Sequence, residues 1–223
     1  MPDLSFHVEE SNALPYAVSP TLAFKVRVTN ATIEPIHSVM LRCQIMIAAT
    51  ARRYSEGERA RLLELFGEPE RWNETLRSML WTNTNTVVPA FNGSTVVDLI
   101  VPCTFDFNVA ATKFFAGLEG GTVPLSLLFS GTVFYAREDG SLQATQIPWE
   151  KEASYRLPIS AWKQMMNIYY PNSAWLTLRR DVFDRLNSYK IRNGLPTWEQ
   201  TIERLLPTLD SEVDERNNPE AVH

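Results

Sequence analysis

Extended segments with an apolar side chain at every second position constrain the fold of this chain more than any other feature. Residues 4–8 and 22–28 both show this alternation, which is typical of a β-strand with one buried face. Apolar segments at 39–48, 94–101 and 122–136 have the composition and the flanking turn residues of strands. Short polar connections between such strands favour antiparallel pairing. The sequence therefore predicts an α+β fold based on an antiparallel β-sandwich of the immunoglobulin-like type.

A helical insertion is predicted between two groups of strands. Ser55 and Glu58 have the pattern of a capping box, in which each side chain satisfies the other residue's free backbone amide. A helix is therefore expected over 56–66. A second helical segment is expected to reach Leu80, because its apolar residues recur at helical spacing. These patterns predict an inserted helical pair at about 54–80.

The chain is predicted to have three parts. Residues 1–157 form the sandwich with its insertion, and residues 158–207 form C-terminal helices packed on the sandwich. The segment 208–223 contains five acidic residues, one Arg and few apolar residues. Such a segment buries too little apolar surface to offset the entropy of ordering, so an acidic disordered tail is predicted.

Composition argues against two classes of partner. The formal net charge is −5, whereas affinity for nucleic acids comes mainly from the neutralisation of phosphates by Lys and Arg. No segment approaches the roughly 18–20 uninterrupted apolar residues that a membrane span needs, and the first residues lack the basic and apolar regions of a secretion signal. We therefore expect a cytoplasmic protein that binds neither nucleic acid nor membrane.

The two cysteines, Cys43 and Cys103, both fall in phase with the apolar residues of predicted strands. A buried free cysteine behaves as a small apolar side chain, and a reducing compartment favours this interpretation. A disulfide between the two strands stays open as an alternative, as does a metal or redox role.

Residues able to support catalysis are sparse. His7, His37 and His223 are the three histidines, and no Ser lies in the Gly-x-Ser-x-Gly turn that often presents a nucleophile. Zinc sites need about four Cys, His or carboxylate ligands, typically as close pairs, and the glycine motifs that bind nucleotides are absent. We therefore predict that the protein is not an enzyme and holds no cofactor or metal. An unfamiliar catalytic site with His37 or Cys103 beside a carboxylate is the alternative.

Aromatic residues in polar or proline-containing segments are the main candidates for contacts with a partner. Trp81 precedes a run of Thr and Asn residues. Tyr169, Tyr170 and Asn172 lie in a connection between two predicted helices, and Trp175 follows them. Tyr and Trp are frequent at interface hot spots because they bury a large area at low entropic cost. Packing between the sandwich and its helices explains the same residues equally well.

A basic helix provides two further candidates, Arg179 and Arg180. The segment 177–193 has five basic and two acidic residues. A solvated helix face explains this excess, and the alternative is a docking surface for an acidic partner or for the acidic tail. A different class of function is a pocket for a small molecule or cofactor between the sheet and the helices, lined by Trp81, Phe105 and Tyr169.

Five stretches of the sequence are distinctive as strings. They are LRCQI at 41–45, LFGEPERW at 65–72, FSGTVF at 129–134, PWEKEASYRLP at 148–158 and YPNS at 170–173. They resemble an uncharacterised bacterial family whose genes accompany those of nickel–iron uptake hydrogenases, over roughly residues 3–206. The resemblance implies a role in hydrogenase assembly, maturation or regulation, and it identifies no catalytic residue. We therefore predict a non-catalytic accessory or protein-interaction factor whose partner is a hydrogenase subunit or accessory protein.

Overall fold

Eight strands form the centre of the computed structural model, which describes residues 1–137 and 139–206. Within these residues the strands form two antiparallel sheets. The strands are β1 (Leu4–Ala13), β2 (Thr21–Asn30), β3 (Ile36–Ile47), β4 (Met79–Val88), β5 (Ser94–Pro102), β6 (Thr122–Ala136), β7 (Leu142–Gln146) and β8 (Glu152–Pro158).

The order of the strands is close to that of an immunoglobulin-like sandwich. The first sheet has the order β1-β2-β5, and the second has the order β4-β3-β6-β7, with β8 also paired to β6. Constant-type immunoglobulin domains likewise have the first, second and fifth strands in one sheet and the third, sixth and seventh in the other. Their fourth strand lies in the first sheet, whereas β4 here pairs with β3 in the second. The predicted α+β sandwich is confirmed.

Alternating side chains from both sheets form one hydrophobic core, because every second residue of a strand points to the same face. Phe6 of β1 stacks on Phe129 of β6 with ring centroids 4.2 Å apart. Phe24 of β2 meets Tyr155 of β8 edge to face at 5.8 Å. These contacts hold the two sheets together.

Strand β6 changes partner along one of its edges. Its residues 122–128 pair with β8, and its residues 132–136 pair with β7. Gly131 lies at the change, with φ 137°, and a Cβ there would lie 2.0 Å from the carbonyl oxygen of Met40. Only glycine fits a backbone approach this close. The loop that joins β7 to β8 carries Trp149, which is 90% exposed.

Short helices cover one end of the sandwich, and further helices follow later in the chain. The predicted capping box is confirmed: Ser55 Oγ accepts a hydrogen bond from the Glu58 amide at 3.1 Å, and Glu58 Oε2 accepts one from the Ser55 amide at 3.1 Å. The helices are α1 (Glu56–Arg61), α2 (Leu63–Phe66), α3 (Trp72–Thr75), α4 (Val109–Gly117), α5 (Ile159–Tyr169) and α6 (Arg180–Arg192), and residues 198–206 are also helical.

The inserted helices are shorter than predicted. The chain leaves the helical conformation at Leu76, with ψ 120°, and Met79 and Leu80 pair with β3 as the first residues of β4. The prediction that a helix reaches Leu80 is therefore wrong. Pairing with an existing strand outweighs the local helical spacing, because tertiary context overrides intrinsic propensity.

The chain divides into two compact units, Met1–Ser173 and a second that begins at Ala174. Helix α5 belongs to the first unit, because its residues Trp162, Met165 and Met166 are buried in the core of the sandwich. The predicted boundary at 157/158 is corrected accordingly. The packing of the later helices on the sandwich stays a prediction, and the predicted tail at 208–223 lies outside the described residues.

Candidate functional site

Both cysteines are free and buried. Burial raises the pKa of the Cys43 thiol and of the Cys103 thiol to about 12, and the Cys103 thiol donates to the carbonyl oxygen of Val101 at 3.3 Å. The thiolate is the form that attacks electrophiles and binds metals, and these thiols stay protonated at neutral pH. This environment supports the interpretation of both residues as apolar core side chains.

The histidines of the described chain are exposed. His37 Nδ1 lies 3.5 Å from the hydroxyl of the adjacent Ser38, and His7 is on the polar face of β1. Within residues 1–137 and 139–206, no three His, Cys, Asp or Glu side chains are grouped so that they would hold a metal ion. That the protein has no enzymatic activity stays a prediction.

Trp81 lies in the core and is 4% exposed. Its ring packs against Phe24 at 6.0 Å and against Phe115 at 4.9 Å between centroids. The register of β3 and β4 shifts at this point, and the Asn108 amide donates to the carbonyl oxygens of Leu80 and Trp81 at 3.1 Å and 2.8 Å. A bulge re-aims a side chain, and here it directs the indole inward. The prediction that Trp81 contacts a partner is therefore wrong.

Aromatic rings fill the space between the sandwich and its helices. Phe115 of α4 stacks on Trp162 of α5 with centroids 5.4 Å apart, and Phe66 meets Phe114 edge to face at 6.2 Å. Trp81 occupies part of this space. The pocket predicted between the sheet and the helices, lined by Trp81, Phe105 and Tyr169, stays a prediction. We define the aromatic cluster as Phe24, Tyr54, Phe66, Trp72, Trp81, Phe114, Phe115 and Trp162.

A buried ion pair fixes the insertion. The side chains of Arg52 and Glu58 form it and are 9% and 4% exposed. Arg52 also donates to the carbonyl oxygens of Gly120 and Thr122 at 2.9 Å and 3.0 Å, and Glu58 accepts from the Glu119 amide at 2.9 Å. Buried charges are tolerated when they are paired and hydrogen-bonded in this way. The pair therefore joins the start of α1 to the segment that precedes β6.

The loop between β1 and β2, residues 14–20, presents exposed apolar side chains. Tyr16 is 98% exposed, and Val18 is fully exposed. No charged residue occurs between Ser11 and Phe24. Sequence reasoning missed this loop, although two prolines in an uncharged stretch were available as a signal for a rigid apolar turn.

Tyr169, at the end of α5, fixes this loop. Its single hydroxyl proton is shared between the carbonyl oxygens of Leu14 and Ala17, which lie 2.7 Å and 3.0 Å from the hydroxyl oxygen. The Thr21 hydroxyl donates to the carbonyl oxygen of Ser19 at 2.8 Å. The loop therefore has hydrogen bonds to α5 and to its own base, and its conformation is defined before any partner binds.

The other predicted residues of the first unit lie just after Tyr169. Tyr170 is half-buried, and Asn172 is exposed with φ 51°, a left-handed conformation that asparagine adopts more readily than most residues. Ile168 is partly exposed. We define the braced surface as the exposed side chains on the loop that Tyr169 fixes, which are Tyr16 and Val18.

The remaining candidates belong to the second unit. Trp175 is 37% exposed. Arg179 donates to Asp181 at 3.0 Å, and Arg180 is the exposed first residue of α6. Their role in binding a partner stays a prediction.

The chain belongs to the protein family described as a family of unknown function, DUF6084, whose profile matches residues 1–214. Comparison with curated proteins gives no match. Within the described residues, every helix is too short or too polar to cross a membrane.

Several solved structures are similar to this chain at low identity. A CARDB domain from Pyrococcus furiosus, solved in complex with di-metal ions, is 12% identical, with 70% of this chain and 92% of that chain covered and a TM-score of 0.27. The putative ApaA protein from Bordetella pertussis is 15% identical, with 70% and 93% covered and a TM-score of 0.23. Beta-glucosidase 3B from Thermotoga neapolitana is 12% identical, with 70% and 17% covered and a TM-score of 0.26.

Proposed function

We propose that this protein is a non-catalytic accessory factor that binds a partner protein through the braced surface. The observation that carries the proposal is the full exposure of Tyr16 on a loop whose backbone is bonded to Tyr169. A single exposed apolar residue is ordinary on a protein surface. A tyrosine held on a preorganised loop is different, because little conformational entropy is lost when a partner covers it.

The partner that we propose is a subunit or accessory protein of a nickel–iron hydrogenase. The sequence stretches that resemble hydrogenase-associated proteins support this choice, and the braced surface supplies a contact of suitable chemistry for a protein partner. Association of the apolar side chains with an apolar patch of the partner would remove them from water, which gains roughly 25 cal/mol for each Å² of apolar surface buried.

Binding of the tagged protein to purified hydrogenase subunits tests the proposal. The double variant Tyr16→Ser with Val18→Asp should weaken binding at least about tenfold, which corresponds to about 1.4 kcal/mol, because it removes two exposed apolar contacts and places a charge at the interface. The matched control is Ile33→Ser. Ile33 is also almost fully exposed. It lies at the other end of the sandwich, because the ten residues of β2 separate it from the loop that carries Tyr16.

The two parts of the proposal fail in different ways. If no hydrogenase subunit binds while another native partner is lost in the double variant, the choice of hydrogenase is wrong and the braced surface stands. If a partner binds the double variant and the parent protein equally well, the braced surface is wrong. Tyr169→Phe separates rigidity from contact, because it removes only the hydroxyl that bonds to the loop and should weaken binding by a smaller factor.

A groove on the outer face of the second sheet favours a second candidate function, the binding of a small molecule. The groove has a volume of about 630 Å³, and its lining includes Met40, Arg42, Asn85, Val87 and Gln146. This is within the usual size range of ligand sites. A ligand that binds only the folded protein raises its melting temperature by mass action. A thermal-shift screen tests this candidate, with Arg42→Ala as the variant in which any shift should be reduced.

A further inference from the structure

Within residues 1–137 and 139–206, the outer edge of β7 carries backbone groups without a partner strand at defined positions. The backbone carbonyl of Gly131 accepts a hydrogen bond from the backbone amide of Ile147 at 2.9 Å. The backbone amide of Arg137 donates to the carbonyl oxygen of Ser141 at 3.0 Å. Backbone groups alternate between the two sides of an antiparallel strand, so the odd-numbered residues of β7 bond to β6. The N–H and C=O groups of the even-numbered residues therefore point away from the sheet. These residues are Leu142, Ala144 and Gln146.

No other strand occupies this edge within residues 1–137 and 139–206. Natural edge strands are commonly protected by Lys, Pro, a bulge or a covering segment. Strand β7 has the sequence LQATQ, without a charge or a proline, and its pairing with β6 has no register shift. Its short length of five residues gives it some protection. The edge is therefore able to accept a further strand.

We propose that a second copy of this chain pairs with β7, antiparallel and about a twofold axis at Ala144. In this register Ala144 faces Ala144 of the second copy, and Leu142 faces Gln146. Every residue with outward backbone groups then meets another such residue, so three pairs form with two hydrogen bonds each. A twofold interface requires a surface that is complementary to itself, and this uncharged strand with its smallest side chain at the centre meets that requirement.

The side chains also fit this arrangement. Leu142, Ala144 and Gln146 all lie on the outer face of the sheet, so pairing two copies extends that face without opposing like charges. Leu142 is exposed in the single chain, and in the pair it lies beside the aliphatic part of the Gln146 side chain of the second copy. Trp149 follows β7 by three residues and is almost fully exposed, so it is available to cover the turn at Asp139 and Gly140 of the second copy.

The expected dimer is weak. Stable interfaces bury about 1,200–2,000 Å² in total, and pairing of two five-residue strands buries less than this. Dimers should therefore form in a concentration-dependent manner and be detectable by analytical ultracentrifugation at high micromolar concentration.

Cross-linking tests the register of the pair. The Cα atoms of a hydrogen-bonded antiparallel pair lie about 5.5 Å apart, which is a distance that a disulfide spans. Ala144→Cys should therefore give a disulfide-linked dimer under oxidising conditions. Asn85→Cys is the control, because Asn85 lies on β4, three strands away from β7 in the same sheet. The native Cys43 and Cys103 are buried and should not cross-link.

Charge and backbone substitutions test the same surface by ultracentrifugation of the full chain. Ala144→Lys opposes two positive charges at the twofold axis and should raise the dimer dissociation constant by about tenfold or more. Asn85→Lys adds the same charge elsewhere on the sheet and should leave the constant unchanged. Ala144→Pro removes the outward N–H without removing a bond to β6, and should act like Ala144→Lys.

Three results would overturn the proposal. The first is a wild-type chain that stays monomeric up to millimolar concentration. This result would also be seen if a strand of another protein, and not a second copy, bound to this edge. The second is a dimer that survives Ala144→Lys and Ala144→Pro. The third is the absence of a cross-link in Ala144→Cys when the wild-type chain does dimerise.

Discussion

Two regions of the molecule contain similar chemical groups in opposite environments. One is the end of the sandwich that the inserted helices cover, and the other consists of the surfaces around Tyr16 and β7. At the covered end, Trp81 is enclosed by other rings, and Arg52 and Glu58 are paired out of water. Around Tyr16 and β7, an aromatic ring and a row of backbone groups face solvent. The covered end has its partners within the chain, whereas the exposed surfaces have groups available for another molecule.

This difference separates stability from recognition. Substitutions at the covered end remove interactions that are already made, so they lower the free energy of unfolding. Substitutions at the exposed surfaces remove interactions that form only on binding, so they leave the fold almost unchanged. A substitution with the opposite behaviour would identify a residue that has been assigned to the wrong region.

The largest loss of stability is expected for Trp81→Ala. Removal of a buried indole leaves a cavity among Phe24 and Phe115, and substitutions of this kind cost about 3–5 kcal/mol. Urea-induced unfolding measures the change. The matched control is Trp149→Ala, because Trp149 is 90% exposed and its loss should change stability by about 0.5 kcal/mol or less. Equal losses of stability at the two positions would contradict the distinction between the covered end and the exposed surfaces.

Glu58→Ala is expected to cost about 3 kcal/mol, because it leaves the buried Arg52 charge without its partner. The loss is placed at the low end of the usual range since Arg52 keeps two carbonyl partners. Glu64→Ala is the control. Glu64 pairs with Lys113 on the surface and is 74% exposed, so its loss should cost about 1 kcal/mol or less. A small effect of Glu58→Ala would show that water reaches the pair.

Replacement of the two thiols by hydroxyls should give unequal losses. Burial is the cause of the raised pKa of the Cys43 thiol, and no hydrogen bond within residues 1–137 and 139–206 contributes to it, so Cys43→Ser buries an unpaired hydroxyl at a cost of about 1–3 kcal/mol. Cys103→Ser should cost less, because the new hydroxyl is able to donate to the carbonyl oxygen of Val101 as the thiol does. Chemical denaturation of both variants under reducing conditions decides this, and a larger loss at Cys103 would be the contrary result.

The same thiols should make the fold sensitive to alkali. Burial raises the pKa of each thiol to about 12, so the neutral forms stabilise the folded chain. This contribution is complete below the ordinary thiol pKa and is lost as the pH rises towards 12. At pH 10 the loss should be roughly 1–2 kcal/mol per thiol. The free energy of unfolding, measured at pH 8 and at pH 10, tests this prediction. The control is the double variant Cys43→Ala with Cys103→Ala, in which the thiol contribution should vanish.

The smallest change in stability is expected for Tyr16→Ser. Tyr16 is almost fully exposed, and exposed substitutions usually change stability by about 0.5 kcal/mol or less. The same substitution should weaken binding of the proposed partner. A melting temperature that falls as far as in Trp81→Ala would show that Tyr16 is packed in solution and is not part of a binding surface.

Much of the sandwich was predictable, because its signals are local. The alternation at 4–8 and 22–28 reports which side chains face the core, and the capping box at Ser55 starts α1 through bonds between residues three apart. The reach of the second inserted helix was not predictable in the same way. Met79 and Leu80 have helical spacing, but β3 provides hydrogen-bonding partners that no local pattern reports.

The candidate site shows the same limit. Tyr169 was predicted as a contact residue, and it is near the site, but its hydroxyl fixes a loop that precedes it by about 150 residues in the sequence. Trp81 was predicted at a surface, and a bulge directs it inward. In both cases the role depends on a backbone segment from a distant part of the chain.

The sequence by itself determined the type of fold and the start of the inserted helices, and it favoured buried thiols without excluding a disulfide. Only the tertiary structure decided which aromatic residues are enclosed, that Tyr16 is presented on a fixed loop, and that one edge of β7 has no neighbour within residues 1–137 and 139–206. The physical reason is that hydrophobic periodicity and capping act between residues close in sequence, whereas exposure and strand edges depend on what the rest of the chain places beside them.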